Sequence, residues 1–316
     1  MSTVFVAIES IRSNDHALDK LGRTFDHVIL ASSRWRAMEE LASTAGTVDA
    51  VIIGVKELMT AQVLESLPKL RAIASITTGT DHIAVDAAAA RGIAVLTAPG
   101  ANARAVAEHA LTLILALIKE LSVGDNACRE GLDWAGLPHL PQILSGRPIG
   151  LLGCGATARE LIQLLTPFRC SLKVWTRDPA KHSDLSDRVE FCSLEKLFSI
   201  CSVVSVHLPL TSGTVSVVDG KLVKLLSKRA ILINVARLKL FDVPSVLAAL
   251  KERTDIRLGV DAFALKAAGF CELASDRILI TPHVAGITQE TLRLIEDIVV
   301  EKLVAFWGES GFRRSL

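Results

Sequence analysis

Short apolar runs alternate with helix-spaced segments along most of the chain. Thr3–Ile8, Val28–Ala31, Ala50–Gly54, Ala72–Ile76 and Ile93–Leu96 read as strands, and Arg34–Ser43 and Ala61–Leu67 carry helical spacing between them. A second series starts at Ile149. Its strands are Ile149–Leu152, Leu172–Trp175, Val203–His207, Ala230–Asn234, Arg257–Val260 and Ile278–Ile280. Its helices are Thr157–Leu165, Leu194–Phe198, Asp219–Leu226 and Val243–Leu250. Asp242-Val-Pro244 predicts an N-cap followed by a proline in the first turn. Gln289–Trp307 adds a last helical pattern. Continuously apolar strands, each followed by a helix, are the mark of parallel sheets covered on both faces. The pattern therefore predicts an α/β chain of two doubly wound parallel-sheet units, with the break near Ala98-Pro-Gly-Ala101.

Composition narrows this picture. With 316 residues the chain has room for two cores. Its 35 basic and 34 acidic residues leave a net charge of +1, which points to neither nucleic acid nor a membrane surface as partner. The most apolar helix candidate, His109–Leu121, falls short of the roughly 20 residues needed to span a bilayer. The opening residues show no basic, cleavable leader. The cysteines 128, 154, 170, 192, 201 and 271 are scattered, without C-x-x-C or metal-ligand spacing. Reduced thiols, no metal and a cytoplasmic location are the expectation. Cys154 stands apart because a thiol at a helix N-terminus can have a lowered pKa; a small residue filling the turn is the plainer reading.

The chemistry begins at Ile149–Ala158. The apolar run 148–152 enters Gly153-x-Gly155-x-x-Ala158, and a helical pattern follows. Strand, glycine turn and helix N-terminus form a dinucleotide cradle: Gly153 permits the turn, Gly155 admits a pyrophosphate, and Ala158 lets helix and strand pack.

With these motifs in view, the chain resembles the D-isomer-specific 2-hydroxyacid dehydrogenases, of the glyoxylate and hydroxypyruvate reductase kind. Thr77-Thr-Gly-Thr-Asp81-His-Ile83 is similar to the family's G-V-G-x-D-x-I loop. Pro99-Gly100-Ala-Asn102 and Val106-Ala-Glu108-His109 match its hinge and long helix, and Trp134 stands where a Trp commonly precedes the glycine motif. His207-Leu-Pro209-Leu-Thr211 with Thr214 resembles H-x-P-L-T-x-x-T. Asn234-Val-Ala-Arg237 resembles N-x-A-R-G, Asp261-Ala-Phe263 resembles L-D-V-F, and Thr281-Pro-His283-Val-Ala-Gly286 resembles T-P-H-x-A-G.

The resemblance implies a flavodoxin-like substrate domain, 1–100, completed by 286–316, and an NAD(P)-binding Rossmann domain, 101–285, with the active site in the cleft between them. It implies hydride transfer between NAD(P)H and a small 2-keto or 2-hydroxy acid, running as a reductase, in a homodimer whose arm is the segment 129–145. Arg237 would hold the keto acid, His283 would serve as acid and base, and the amides of Thr78 and Gly79 would take the substrate carboxylate. Gly153, Cys154, Gly155, Ala156, Thr157, His207, Pro209, Thr214, Val235, Ala236, Asp261 and Gly286 would line the cofactor. Thr176 and Arg177 take the place of the ribose-binding carboxylate, favouring NADP(H) over NAD(H). Asp178 is the counter-argument: after a shift of two residues in the turn it would accept the ribose hydroxyls.

The chain departs from the family pattern at two positions. Lys266 occupies the place of the glutamate that pairs with the histidine, and Leu238 replaces a glycine after the arginine. An ammonium beside an imidazole disfavours its protonated form. Three outcomes are open: Glu272 reaches the histidine instead, Lys266 itself acts on the substrate, or Lys266 faces solvent and turnover is slow. Leu238 would crowd the site or change the backbone angles open to Arg237. The alternative function is a cofactor-binding protein of the same fold with weak, altered or lost catalysis.

Overall fold

The computed structural model describes residues 1–309 apart from Ala264, Ala274 and Ser275. The chain forms two compact units: Met1–Asn102 with the helix Gln289–Glu309, and Ala103–Gly286. Each is a parallel sheet between helices.

In the first unit the strands are β1 (Thr3–Val6), β2 (His27–Leu30), β3 (Ala50–Ile53), β4 (Ala72–Ser75) and β5 (Ala94–Leu96), in the order β2-β1-β3-β4-β5. β1, β3 and β4 are buried throughout. Successive strand residues face opposite sides. Val4, Val6, Ala50 and Ile52 thus meet Leu21 and Val299 on one side, while Phe5, Val51, Ile53 and Ile73 meet Leu41 and Leu64 on the other. The helix Asp15–Thr24 is not among the predicted elements, although the two residues it buries, Ala17 and Leu21, stand one turn apart. Its start is fixed by Asn14, whose side chain accepts from the Ala17 amide at 3.1 Å. Helix Gln289–Glu309 closes this core with Ile295, Val299, Val300, Leu303 and Trp307. Trp307 packs on Phe25 with 4.7 Å between ring centres.

In the second unit the strands are β6 (Pro148–Leu152), β7 (Ser171–Trp175), β8 (Glu190–Phe191), β9 (Val203–Val206), β10 (Ile231–Asn234), β11 (Arg257–Asp261) and β12 (Ile278–Thr281). Their order is β12-β11-β10-β9-β6-β7-β8, so the winding reverses between β6 and β9. β8 is two residues long and shows no periodicity to read. The apolar helix begins earlier than the pattern predicts, at Ala103, and ends at Ile118. It lies close over the sheet: a Cβ on Gly259 would come within 2.7 Å of Ile233 and 3.3 Å of Leu113. Glu120, at φ 54°, then turns the chain into a separate helix, Leu121–Arg129. Glu120 is buried and sits between Arg257 at 2.6 Å and Arg229 at 3.2 Å. Asp242 precedes the helix Val243–Glu252 as expected, yet its side chain caps no amide and instead accepts from the Ser245 hydroxyl.

Among the described residues no helix is long and apolar enough to cross a membrane, and the six cysteines are free thiols. Leu303 is fully buried beneath the first sheet. Leu303→Ala should lower stability by about 2–5 kcal/mol, measured as a shifted denaturant midpoint.

Candidate functional site

Open parallel sheets bind ligands beyond the carboxyl ends of their strands, where the winding reverses. In the second unit that point lies between β6 and β9, where the glycine turn leaves β6. Gly153 has φ +106°, and a Cβ there would stand 2.8 Å from the His207 carbonyl at the end of β9. Only glycine meets both conditions. The Gly153 amide donates to the Trp175 carbonyl at 2.8 Å, tying the turn to β7. Gly155 is the N-cap of helix Ala156–Leu165; no side chain caps that helix, and the space where a Cβ would project is open. Gly155 and Ala156 are exposed, Thr157 is half-buried, and Ala158 is buried against the sheet. Exposed first-turn N–H groups at a helix start form an anion cradle, so these residues fit a dinucleotide. Cys154 is buried, and burial pushes its thiol above the ordinary cysteine range. The helix N-terminus does not make it a thiolate.

His207 flanks the same reversal point. Both its ring nitrogens are buried, with no hydrogen-bond partner among the described residues. Burial pushes its pKa down to about 4. Pro209 is exposed, while Thr214 is buried. The Thr214 hydroxyl accepts from the Thr211 amide at 2.8 Å and donates to the Pro209 carbonyl at 2.6 Å. Thr214 therefore shapes the turn from inside. At the end of β7, Thr176 is half-buried and Arg177 exposed. Asp178 pairs with Lys181 at 3.3 Å.

Two further loops leave the same sheet edge. After β10, buried Asn234 accepts from the Ala236 amide and donates to the Arg237 carbonyl, each at 3.0 Å. This clamp shapes Val235–Arg237. The Arg237 guanidinium is half-buried and donates to the Ala236 carbonyl at 3.2 Å. Leu238 starts a one-turn helix and packs against the core; Arg237 itself is extended, at φ −133°. Arg237 thus needs no glycine-like angle, and Leu238 is turned to the core.

After β12, His283 has φ 59°, a costly conformation for a residue with a Cβ. Buried Asp261 holds it there. Asp261 accepts from the Thr281 hydroxyl at 2.6 Å and from the amides of Val284 and Ala285, each at 2.8 Å. Three of the hydrogen bonds its carboxylate accepts come from Thr281 and the loop that carries His283. The His283 ring lies 4.6 Å from Phe263, and Nδ1 approaches the Asp261 carbonyl at 3.4 Å. Gly286 ends the loop half-buried.

In the first unit, Thr78 and Gly79 sit half-buried just beyond β4. Thr77 donates to the Gly79 carbonyl at 2.6 Å, Ser75 contacts Thr77 at 2.8 Å, and His82 Nε2 contacts Ser75 at 3.1 Å. Each hydroxyl has one proton to give. With the Thr77 proton on Gly79, Ser75 must donate to Thr77, and His82 must donate through Nε2. His109 is bound by the same logic. Thr281 gives its proton to Asp261, so His109 Nε2, at 3.0 Å, must donate to Thr281. The motifs contain His82 and His109 as well as Asp261 and Thr281 without showing that these side chains hold loops, and Ser75 lies outside them.

A model of the D-isomer specific 2-hydroxyacid dehydrogenase NAD-binding domain matches residues 111–285. The chain belongs to the D-isomer specific 2-hydroxyacid dehydrogenase family. A glyoxylate reductase of Pyrococcus furiosus is 28% identical over 92% of this chain and 89% of its own. The D-lactate dehydrogenase of Aquifex aeolicus, solved with NAD and lactic acid, superposes with TM-score 0.84 over 98% of this chain and 96% of its own, at 24% identity. An acyclic imino acid reductase solved with NADPH and D-Arg gives TM-score 0.84 over 98% of both chains, at 22% identity.

Against the family pattern, this dehydrogenase carries Lys266 on an exposed turn, where its side chain makes no ion pair among the described residues. Glu272 is exposed as well, and it pairs with Lys251 at 3.4 Å.

Two predictions follow from the histidines. Nitrogen NMR should find both His82 and His109 protonated on Nε2; an Nδ1–H form of either would break its relay. His207 should stay neutral between pH 8 and 5. Its folded pKa lies below the unfolded value of 6.5, so only the unfolded chain takes up the proton as pH falls from about 6.5 toward 4, and stability drops there. In unfolding curves, His207→Asn should flatten that slope.

Proposed function

We propose that this chain transfers a hydride between NADP(H) and a small 2-keto or 2-hydroxy acid, acting as a reductase. The observation that carries the reading is the arrangement at one sheet edge. A glycine turn with an uncapped helix start, a clamped Arg237 and an Asp261-held His283 all leave the carboxyl ends of strands in the same sheet. When bound, the nicotinamide supplies the hydride. The amides of Thr78 and Gly79 take the substrate carboxylate. Arg237 donates to the substrate oxygens and stabilises the charge that develops on the carbonyl. His283 gives that oxygen a proton as C2 gains the hydride, leaving a 2-hydroxy acid. Nothing in the comparisons favours a cofactor-binding protein without turnover.

The preference for NADP(H) rests on Thr176 and Arg177 in place of a carboxylate, with Asp178 engaged by Lys181. Substrate domain 1–100 with 286–316 and nucleotide domain 101–285 are the corresponding division of labour. A homodimer is the family expectation, and the segment 129–145 supports it with four exposed apolar side chains, Leu132, Trp134, Leu140 and Ile143. Light scattering should give twice the chain mass.

The test is NADPH oxidation with glyoxylate, hydroxypyruvate, pyruvate and phenylpyruvate. Absence of turnover with every acid, in both directions and with both cofactors, would overturn the reading. His283→Ala should lose about 10²–10⁴ in kcat. Arg177→Ala should cut kcat/KM for NADPH at least about tenfold relative to NADH, the equivalent of about 1.4 kcal/mol. Lys266→Glu should keep or raise reductase activity; a sharp loss would make Lys266 itself catalytic.

A further inference from the structure

The first unit has its own reversal of winding, between β1 and β3. A cavity of about 290 Å³ lies there, lined by the residues that follow those strands, Ala7–Ser10 and Gly54–Glu57, and by Arg34, Ile76 and Leu292. That volume is at the lower end for small-molecule sites, roughly 300–1,000 Å³. The walls combine apolar surface from Ile8, Val55, Ile76 and Leu292 with two carboxylates and two cations.

The charges are unequally available. Glu9 accepts from the Arg34 amide at 2.8 Å, and buried Glu57 accepts from the Gly54 amide at 2.8 Å. Both carboxylates hold backbone. Arg34 and Lys56 are exposed, and neither forms an ion pair among the described residues. Their head groups instead rest at 5.2 and 5.1 Å from the centre of the Trp35 ring. A cation on an exposed aromatic face is held by only about 0.5–1 kcal/mol, so it can turn to an anion at little cost. Glu9 is exposed too, and both carboxylates keep their charge, but both are fixed on backbone, so Arg34 and Lys56 are the charges free to move onto a ligand. Ile76, on its wall, stands two residues before Thr78 and three before Gly79.

We propose that this cavity receives the far end of the keto acid, and that Arg34 and Lys56 select acids bearing a second anionic group, carboxylate or phosphate. The proposal rests on the reading above that Thr78 and Gly79 hold the first carboxylate. Ile8, Val55, Ile76 and Leu292 cover the intervening carbon atoms. The guanidinium and ammonium close on the second charge, and Trp35 keeps them gathered until it arrives.

The test compares kcat/KM for 2-oxoglutarate and for 3-phosphohydroxypyruvate with that for pyruvate, in the wild type and in the double variant Arg34→Ala with Lys56→Ala. The wild type should favour at least one doubly charged acid by about tenfold or more. The double variant should cut that ratio at least about tenfold, through KM. The two acids separate carboxylate from phosphate recognition. A wild-type ratio of one or below, or a ratio unchanged in the variant, overturns the proposal. Should no acid turn over, the parent reading fails on its own, and calorimetry of 2-oxoglutarate binding decides for the cavity. Binding lost in the double variant supports it; no binding to the wild type, or equal binding to both, overturns it.

Discussion

Asp261 is the constraint on which the second unit's chemistry depends. A carboxylate taken out of water costs several kcal/mol unless donors surround it. Asp261 gathers the hydroxyl of Thr281, the last residue of β12, and two amides of the segment that follows. The sheet puts it there, because Asp261 and Thr281 are register partners in the β11–β12 ladder. A slip of one residue would turn the carboxylate to the opposite face. The same three bonds that remove the desolvation cost also impose the left-handed backbone at His283. Stability and the aim of the imidazole are therefore set by one group.

The two units share a way of holding a loop. In each, a histidine Nε2–H donates to a hydroxyl and the proton donation runs on to a fixed acceptor: from His82 through Ser75 and Thr77 to the Gly79 carbonyl, and from His109 through Thr281 to the Asp261 carboxylate that holds the loop. A serine or threonine hydroxyl accepts and donates at once, so such a chain has one direction once its last acceptor is fixed. Backbone groups of short loops cannot pair as a strand's do. Side chains supply the partners.

Much of the fold was legible because buried parallel strands are short apolar runs and helices keep a 3.6 period. The glycine turn was legible because φ +106° and a carbonyl 2.8 Å away leave room only for glycine at 153. Other elements left no mark in the pattern. β8 is two residues long, and the αL turn at Glu120 coincides with a buried ion pair to distant Arg257. The roles of Thr214 and Asp261 were legible only as motif membership. That their polar atoms face inward, onto backbone, depends on contacts three and more than twenty residues away.

The first unit is interrupted: its sheet is complete by Leu96, yet its core is closed by Leu303 and Trp307. Synthesis runs from the N-terminus, and domains made of continuous sequence can fold as they emerge. Here the whole of Ala103–Gly286 must leave the ribosome before Val4, Leu21 and Phe25 meet the helix that covers them. For that interval one apolar face of the first sheet is covered only in part, by the helix Asp15–Thr24. The second unit is then the first that can fold, although it is second in the chain. During synthesis, aggregation pressure falls on residues 1–102, and a chaperone that shields apolar strands would find its substrate there.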